Sequence, residues 1–218
     1  MMRDSLLTRE IEKLKEKLLA LGGHVEKALA LAIESVERRD VETAQTVIDG
    51  DAFLDRMEVD VEEECLKLLA LHQPVAVDLR FIVTVLKVNN DLERIGDHAA
   101  SLAKHAVLLA NQPLVEPVFD FSSMAEKAQG MLKRSLDALV YQRADQAMAV
   151  RAEDDEIDAI NRNMYRAVER EIMRRPENTP VYVTHVGLSR CLERIADLAT
   201  NIAEDVIYLT TGQISRHG

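Results

Sequence analysis

The sequence predicts an all-α protein made of two tandem three-helix bundles. Composition, the positions of helix breakers and an internal repeat all support this fold class. Of the 218 residues, 47% are hydrophobic and only 4% are aromatic, with no Trp, 8 Gly and 5 Pro. Strand-rich proteins use more aromatic residues and more turns, whereas long runs of Ala, Leu, Glu, Lys and Arg without breakers are typical of helices.

Breakers and capping residues divide the chain into six helices. Asp40 is a good N-cap for the second helix, and Pro74 ends it. Pro176 and Pro180 separate the last two helices. The predicted helices cover residues 4–38, 41–71, 75–110, 121–141, 144–174 and 181–211.

A proline-containing linker divides the chain into two halves. Pro113 and Pro117 lie in a segment at 111–120 that cannot continue the preceding helix. We therefore predict a first three-helix bundle over 1–112 and a second over 119–218.

The two halves are copies of one unit. The third and sixth helices align at a shift of 100 residues without a gap, and the second and fifth align at a shift of 103, where Asp51 and Asp55 recur as Asp154 and Asp158. An internal repeat of this length is one supersecondary unit used twice. The positions that recur unchanged in the third and sixth helices are Val83, Thr84, Leu92, Glu93, Arg94, Ile95, Asp97, Ala99, Ala103 and Leu109.

Regular apolar seams indicate how the helices pack. In the third helix the apolar positions alternate steps of four and three, which is the spacing of bundles with shallow crossing angles. Three such helices can bury their seams together, so each repeat is expected to form an up-and-down, spectrin-like bundle. The seam of the third helix is Phe81, Val85, Val88, Leu92, Ile95, Ala99, Leu102, Ala106 and Leu109; that of the sixth is Val181, His185, Leu188, Leu192, Ile195, Ala199, Ile202, Val206 and Leu209. The first helix follows with Leu7, Ile11, Leu14, Leu18, Leu21 and Val25.

Charge and apolar content narrow the possible partners. The net charge of −11 disfavours nucleic acid and anionic membrane surfaces, which attract clustered Lys and Arg. No run approaches the roughly 18 apolar residues of a membrane span, and no secretory signal precedes the first helix. Cys65 and Cys191 are far apart and form no CxxC motif, as expected of reduced core thiols. We expect a cytoplasmic protein without direct membrane insertion or nucleic-acid binding.

The clearest chemical feature is a pair of acidic residues that recurs in each repeat. Glu93 and Asp97 are four residues apart and share a helix face, as do Glu193 and Asp197. If Leu92 occupies an a position of the seam, the two carboxylates fall at b and f and face outward. The pairs of the second and fifth helices would bring each outer patch to four carboxylates.

A metal ion is the ligand that these patches suit best. Two like charges at i,i+4 destabilise a helix by about 0.2–0.5 kcal/mol per pair, so four pairs destabilise the folded chain by roughly 1–2 kcal/mol. A cation present at 100 times its dissociation constant stabilises the folded chain by about 2.7 kcal/mol, which offsets this repulsion. Hard oxygen ligands favour Mg²⁺, Mn²⁺ or iron over Zn²⁺. Asn201, four residues after Asp197, is a further candidate ligand. Solvated acidic decoration without a metal is the alternative reading.

Other polar residues are assigned structural roles. His185 occupies a seam position and is expected to be a core histidine with its hydrogen bonds satisfied. His98 has Leu198 as its counterpart, which argues against a repeated ligand role, and Arg190 is placed to pair with Glu193. Gly22 and the following glycine predict a bend or a close helix contact in the first helix.

The sequence contains no motif of an enzyme active site. There is no GxGxxG, GxxxxGKS/T, GxSxG or HExxH. Di-iron bundles use Glu-x-x-His motifs aimed inward, whereas the motif here is Glu-x-x-x-Asp, aimed outward and without His. We therefore predict no catalytic residue, no organic cofactor site and no enzyme activity.

Five stretches of the sequence resemble the PhoU family of phosphate-transport accessory proteins. The resemblance spans both repeats, and the acidic motif is specific when it occurs twice at this spacing. The matching stretches are LGGHVEKAL (21–29), VIDGD (47–51), LHQPVAVDLR (71–80), NDLERIGDHA (90–99) and LERIADLATNIAEDVIYL (192–209).

The resemblance implies a regulator rather than an enzyme. Its members look like adaptors between a phosphate ABC transporter and a sensor histidine kinase, which hold the kinase in its repressing state when phosphate is plentiful. Some members carry metal on the motif carboxylates. The positions that match are Asp51, Asp55, Glu93, Asp97, Asp154, Asp158, Glu193 and Asp197; Ser101 and Leu198 make the two sites unequal.

Two alternatives and one further expectation remain. A metal-dependent hydrolase would use the same carboxylates around a metal-bound water, and a passive helical spacer would need no metal.

The third helix also presents Leu79, Val83 and Leu86 on an outer stripe. Exposed apolar rows often mark contacts, so we expect a homodimer.

Overall fold

Helices account for nearly all of the described chain. The computed structural model describes residues 2–212 and contains no strand in that range, which confirms the predicted all-α class. Within the same range no helix is both long and apolar enough to span a bilayer. The helices are α1 (Met2–Arg38), α2 (Val41–His72), α3 (Ala76–Ala110), α4 (Phe121–Tyr141), α5 (Ala144–Arg174) and α6 (Thr179–Thr211), with a 3₁₀ turn at Pro176–Asn178.

All helix ends lie within two residues of the predicted ones, and their capping follows the predicted chemistry. The Asp40 carboxylate accepts hydrogen bonds from the backbone amides of Glu42 and Thr43 at 3.0 and 3.2 Å, which satisfies two free donors of α2. α6 begins at Thr179, two residues earlier than predicted. Pro180 lies in its first turn, where the missing N–H would have no partner in any case.

Each repeat packs its three helices around the predicted seams. α1 and α2 both contact α3 and each other, and α4, α5 and α6 do the same in the second repeat. All nine seam positions of α6 are buried, and those of α3 are buried except for Phe81, which is half-buried. Each fully buried aliphatic side chain contributes about 1.5–3 kcal/mol relative to exposure. These seams hold each bundle together.

The bundles lie side by side through α3 and α6, and one continuous core runs through both. Lys87 Nζ is 2.7 Å from Asp205 Oδ1, and a Cβ added to Gly187 would collide with the ring of His105. The start of each helix thus meets the end of the other, so α3 and α6 are antiparallel. At the 100-residue shift the two contacts are counterparts, which gives the pair approximate two-fold symmetry.

The glycine pair of α1 contains one close helix contact. A Cβ at Gly22 would lie 3.2 Å from Leu136 Cδ1 on α4, whereas a Cβ at Gly23 would meet nothing within 4 Å. The close-contact alternative therefore applies at Gly22, where α1 of the first repeat approaches α4 of the second.

Candidate metal-binding patches

The first acidic patch lies where α2 packs on α3. We define it as Asp51 and Asp55 of α2 with Glu93 and Asp97 of α3. Gly96 allows this close packing, because a Cβ there would lie 3.0 Å from Leu54 Cδ1 on α2. Asp55 and Asp97 are exposed and the other two carboxylates are half-buried.

Mutual repulsion within the first patch perturbs its carboxylates. Burial raises the pKa of Asp51, and the charges of Asp97 and Asp55 raise it further. Burial also raises the pKa of Glu93, with added repulsion from Asp97, Asp55 and Glu58. None of the four patch carboxylates makes an ion pair within 4 Å with any side chain of residues 6–212. The first patch is therefore a concentration of negative charge that Lys104 offsets only in part, by lowering the pKa of Asp51.

Glu58 belongs to this environment although the sequence analysis did not select it. Burial, followed by repulsion from Glu62 and Asp55, raises its pKa. The side-chain amide of Asn89 donates to Glu58 Oε1 at 3.0 Å, which holds the carboxylate against α3. Glu58 follows Asp55 by three residues, so the two side chains share a face of α2. This spacing could have predicted Glu58 as a neighbour of the patch from the sequence alone.

The second acidic patch is more compact. We define it as Asp154 and Asp158 of α5 with Glu193 and Asp197 of α6, all half-buried. One carboxylate oxygen from each of Asp158, Glu193 and Asp197 lies within 4.8 Å of the other two. No other such trio of acidic, His or Cys ligands occurs among the described side chains, those of residues 6–212. Three hard oxygen donors at this separation suit a Mg²⁺, Mn²⁺ or iron ion. Asn201 is exposed on α6, one turn further along.

Arginines neutralise part of the second patch. Arg194 lies 3.8 Å from Glu193 Oε2 through its Nε and 3.3 Å from Asp197 Oδ2 through its Nη1. Arg162 Nη1 lies 3.2 Å from Asp158 Oδ2. The predicted pairing of Arg190 with Glu193 is not observed. Within the described chain, the ion-pair partner of that carboxylate is Arg194, at the adjacent position on α6.

Asp154 carries the largest acidic pKa shift of the two patches. Burial, together with the charges of Asp197 and Asp158, raises its pKa from 3.8 to about 6, although the nearby Thr200 hydroxyl lowers it in part. Asp197 is shifted in the same direction by burial and by Glu193, with Arg194 opposing the change. A bound cation would reverse this destabilisation by favouring the ionised carboxylates.

Neither His98 nor His185 belongs to the ligand trio of the second patch. Burial and the charge of Arg94 lower the pKa of His98, with smaller contributions from Arg194 and Arg190 across the α3–α6 junction. His185 is 8% exposed and packs edge-on against Phe119, as a seam residue should. Its Nδ1 has no hydrogen-bond partner among the described residues, so the expectation of a fully satisfied histidine was wrong.

Comparison with known proteins identifies the same repeat. The sequence model of the PhoU domain matches the chain twice, at residues 18–106 and 121–206. These ranges contain both acidic patches and leave out the connection between α3 and α4. The match covers most of the chain and agrees with the internal repeat.

Several relatives are similar over nearly their whole length. A phosphate-specific transport system accessory protein PhoU homolog of Aquifex aeolicus is 36% identical over 97% of this chain and 96% of its own. The crystal structure of PhoU from Pseudomonas aeruginosa superimposes with a TM-score of 0.92 at 35% identity, covering 94% of this chain and 99% of that one. The phosphate transport system regulatory protein PhoU from Streptococcus pneumoniae gives a TM-score of 0.85 at 29% identity, covering 97% of this chain and all of that one.

Proposed function

Because the chain belongs to the PhoU family, we propose that it is an accessory protein that regulates phosphate uptake. The observation that carries the proposal is the match of both domains together with relatives of 31–36% identity that are named as phosphate-specific transport accessory proteins. The relatives and this chain share the complete two-repeat arrangement, so the proposal does not depend on an isolated motif.

The proposed regulator acts as a cytoplasmic adaptor. It joins a phosphate ABC transporter to a sensor histidine kinase and holds the kinase in its repressing state when phosphate is plentiful. An adaptor needs exposed contact surfaces. The predicted stripe of α3 offers Leu79 and Val83, which are 40% and 36% exposed, whereas Leu86 is half-buried and packs against the core. The same apolar row supports a homodimer, since large exposed apolar surface favours association.

Metal binding on the acidic patches is the second part of the proposal. Asp158, Glu193 and Asp197 would supply the ligands in the second repeat, and the four carboxylates of the first patch would supply them in the first. A divalent or trivalent cation would relieve the repulsion that raises the pKa values of Asp51, Glu93 and Asp154. Its occupancy would stabilise the α2–α3 and α5–α6 packing.

Deletion of the gene tests the regulatory role. Alkaline phosphatase activity should rise in cells grown at high phosphate and return to the repressed level when the wild-type gene is restored. Complementation with Glu193→Gln/Asp197→Asn then reports whether the second patch contributes. Continued repression in the deletion strain would contradict the regulatory proposal.

Calorimetry tests metal binding separately. Titration of the purified chain with Mg²⁺, Mn²⁺ and Fe²⁺ should give a saturable signal that weakens in Glu93→Gln/Asp97→Asn. A phosphatase assay in Mn²⁺ or Mg²⁺ addresses the hydrolase alternative, and we expect no turnover above that of the metal alone. Turnover abolished by Glu193→Gln/Asp197→Asn would favour the hydrolase instead.

A further inference from the structure

A row of arginines runs along the C-terminal half of α5. Arg162, Arg166, Arg170 and Arg174 follow one another at steps of four, and Arg175 adds a fifth guanidinium at the end of the helix. Steps of four place side chains on one face of a helix. Residues 162–175 therefore carry five arginines and two glutamates in a chain whose net charge is −11.

The first repeat does not share this row. At the shift of 103 residues that aligns α2 with α5, the five arginines correspond to Val59, Glu63, Lys67, Leu71 and His72. Residues 59–72 carry four acidic residues and one lysine. The three-helix architecture therefore forms without the arginines, so they serve something peculiar to the second repeat.

The row ends at a pocket. A cavity of about 440 Å³ lies between the end of α5, the start of α6 and the connection at 116–118. Its volume is within the roughly 300–1,000 Å³ of pockets that hold small organic ligands. The charged and aromatic residues that line it are Arg170, Arg174, Arg175, Glu116, Glu171 and Tyr182.

Two of the three pocket arginines have no acidic partner among the described side chains. Arg174 Nη1 lies 2.7 Å from Glu171 Oε1. Neither Arg170 nor Arg175 makes an ion pair within 4 Å with any residue of the described range. Cations in the last turn of a helix complement its dipole, which accounts for Arg174 and Arg175. It does not account for Arg170, one turn earlier, or for the cavity that all three line.

We propose that this pocket, which we call the arginine pocket, binds a small organic phosphate such as a nucleotide or a sugar phosphate. Two unpaired guanidiniums on one rim match the charge of a phosphate dianion, and their planar donor forks fit its oxygens in pairs. The cavity has room for more than the phosphate group alone. Glu116, which also lines the pocket, can accept a hydrogen bond from a ligand hydroxyl.

The proposal adds a ligand site to the second repeat and is independent of the regulatory role, because it is tested on the purified chain. Calorimetric titration of the whole chain with AMP in EDTA should show saturable binding at one site. Arg170→Gln/Arg175→Gln should weaken the binding about tenfold or more, since a charged hydrogen bond is worth roughly one factor of ten. Both arginines are exposed, so the variant should keep its folded far-UV spectrum.

Arg162→Gln/Arg166→Gln is the matched control, because it removes the same charge from the same helix outside the pocket. Its affinity for AMP should fall clearly less than that of the pocket variant, because neither of its two arginines lines the pocket. Equal weakening by both double variants would overturn the proposal, because binding would then follow overall charge.

Two other ligands separate the possible sources of phosphate. Binding of inorganic phosphate without binding of AMP would overturn the assignment to an organic phosphate. A different outcome is that the chain sediments with phosphatidylglycerol vesicles, loses this sedimentation in Arg170→Gln/Arg175→Gln and fails to bind AMP. That result would assign the arginines to a membrane surface and overturn the proposed ligand pocket. Absence of any saturable signal with millimolar AMP would do the same.

Discussion

The two acidic patches are built from the same four-carboxylate motif but have different electrostatic environments. In the first patch the carboxylates make no ion pair within the described chain and repel one another. In the second, arginines pair with three carboxylates, whose oxygens gather within 4.8 Å. Neutralisation by arginine allows acidic side chains to approach each other, so a shared motif does not guarantee a shared geometry.

Two sequence differences between the repeats account for this contrast. Arg94 and Arg194 are counterparts, but Arg94 lies 3.9 Å from Asp91, and the counterpart of Asp91 is Cys191. Arg194 lacks that competing carboxylate and lies against Glu193 and Asp197 instead. The second arginine of the patch, Arg162, replaces a valine of the first repeat.

The largest expected effect concerns metal affinity. Glu193→Gln/Asp197→Asn should lower the affinity of the second patch for Mn²⁺ about 100-fold, or about 2.7 kcal/mol, because it removes charge from two of three assembled ligands. Glu93→Gln/Asp97→Asn should have a smaller effect, since the first patch must first gather its ligands. Calorimetry measures both. Equal losses from the two double variants would remove the distinction between the patches.

The next effect concerns the pH dependence of stability without metal. The folded chain holds the Asp154 proton more tightly than the unfolded chain, so the free energy of unfolding should fall as pH rises from about 4 to about 6. A two-unit shift in a sealed site would correspond to about 3 kcal/mol, but Asp154 is half-exposed and screening reduces this to about 1 kcal/mol. Asp154→Asn should therefore stabilise the chain by about 1 kcal/mol at pH 7 and by little near pH 4.

Urea denaturation in EDTA at several pH values measures this difference. Asp51→Asn is the matched variant of the first repeat and should change stability in the same direction, because burial raises that pKa too. A stability difference between Asp154→Asn and wild type that stays constant across the acid range would contradict the assignment.

A smaller effect should follow from restoring the first repeat's residue at position 162. Arg162→Val removes the guanidinium that competes with a cation for Asp158, so Mn²⁺ affinity should rise about threefold, within the range expected for an exposed ion pair. Arg166→Val, one turn further along α5, serves as the control and should leave the affinity unchanged. Weaker Mn²⁺ binding in Arg162→Val would show that the arginine organises the ligands instead of competing.

The smallest effect concerns the metal-free stability of each patch. Glu93→Gln/Asp97→Asn should raise the free energy of unfolding by about 0.2–0.5 kcal/mol, because it removes a like-charge pair without losing an ion pair. Glu193→Gln/Asp197→Asn removes the partners of Arg194 and should leave stability unchanged or lower it. Chemical denaturation in EDTA at pH 7 compares the two, and a gain of stability in both would contradict the proposed compensation by arginine.

Much of the fold follows from local patterns in the sequence. Helix starts and ends are determined locally, by Asp40, Pro74 and the two linker prolines. The apolar seams repeat regularly along each helix. The pairing of α3 with α6 was not predicted, because one seam does not tell which second face of a helix becomes buried. Lys87 and His105, which meet Asp205 and Gly187 of α6, both lie outside the seam of α3.

The candidate sites were predicted less completely than the fold. Spacing identified the carboxylates because i,i+4 neighbours share a helix face whatever surrounds them. It did not identify Arg194 as the ion-pair partner, because that choice depends on whether position 91 or 191 carries a competing carboxylate. Whether Nδ1 of His185 finds a hydrogen-bond partner depends on the path of the connection at 111–120, which includes Phe119. No periodic pattern in the sequence determines that path.

The antiparallel pairing of α3 and α6 has the geometry of an isologous dimer contained in one polypeptide. In a true homodimer the residue at position 87 would face the one at position 105 twice, so two copies of the first repeat would place Lys87 against His105 at both ends. In a single chain the two ends of the helix pair need not make the same contact. It joins Lys87 to Asp205 at one end and fits the His105 ring over Gly187 at the other. Covalent linkage thus permits complementary contacts that identical subunits cannot make.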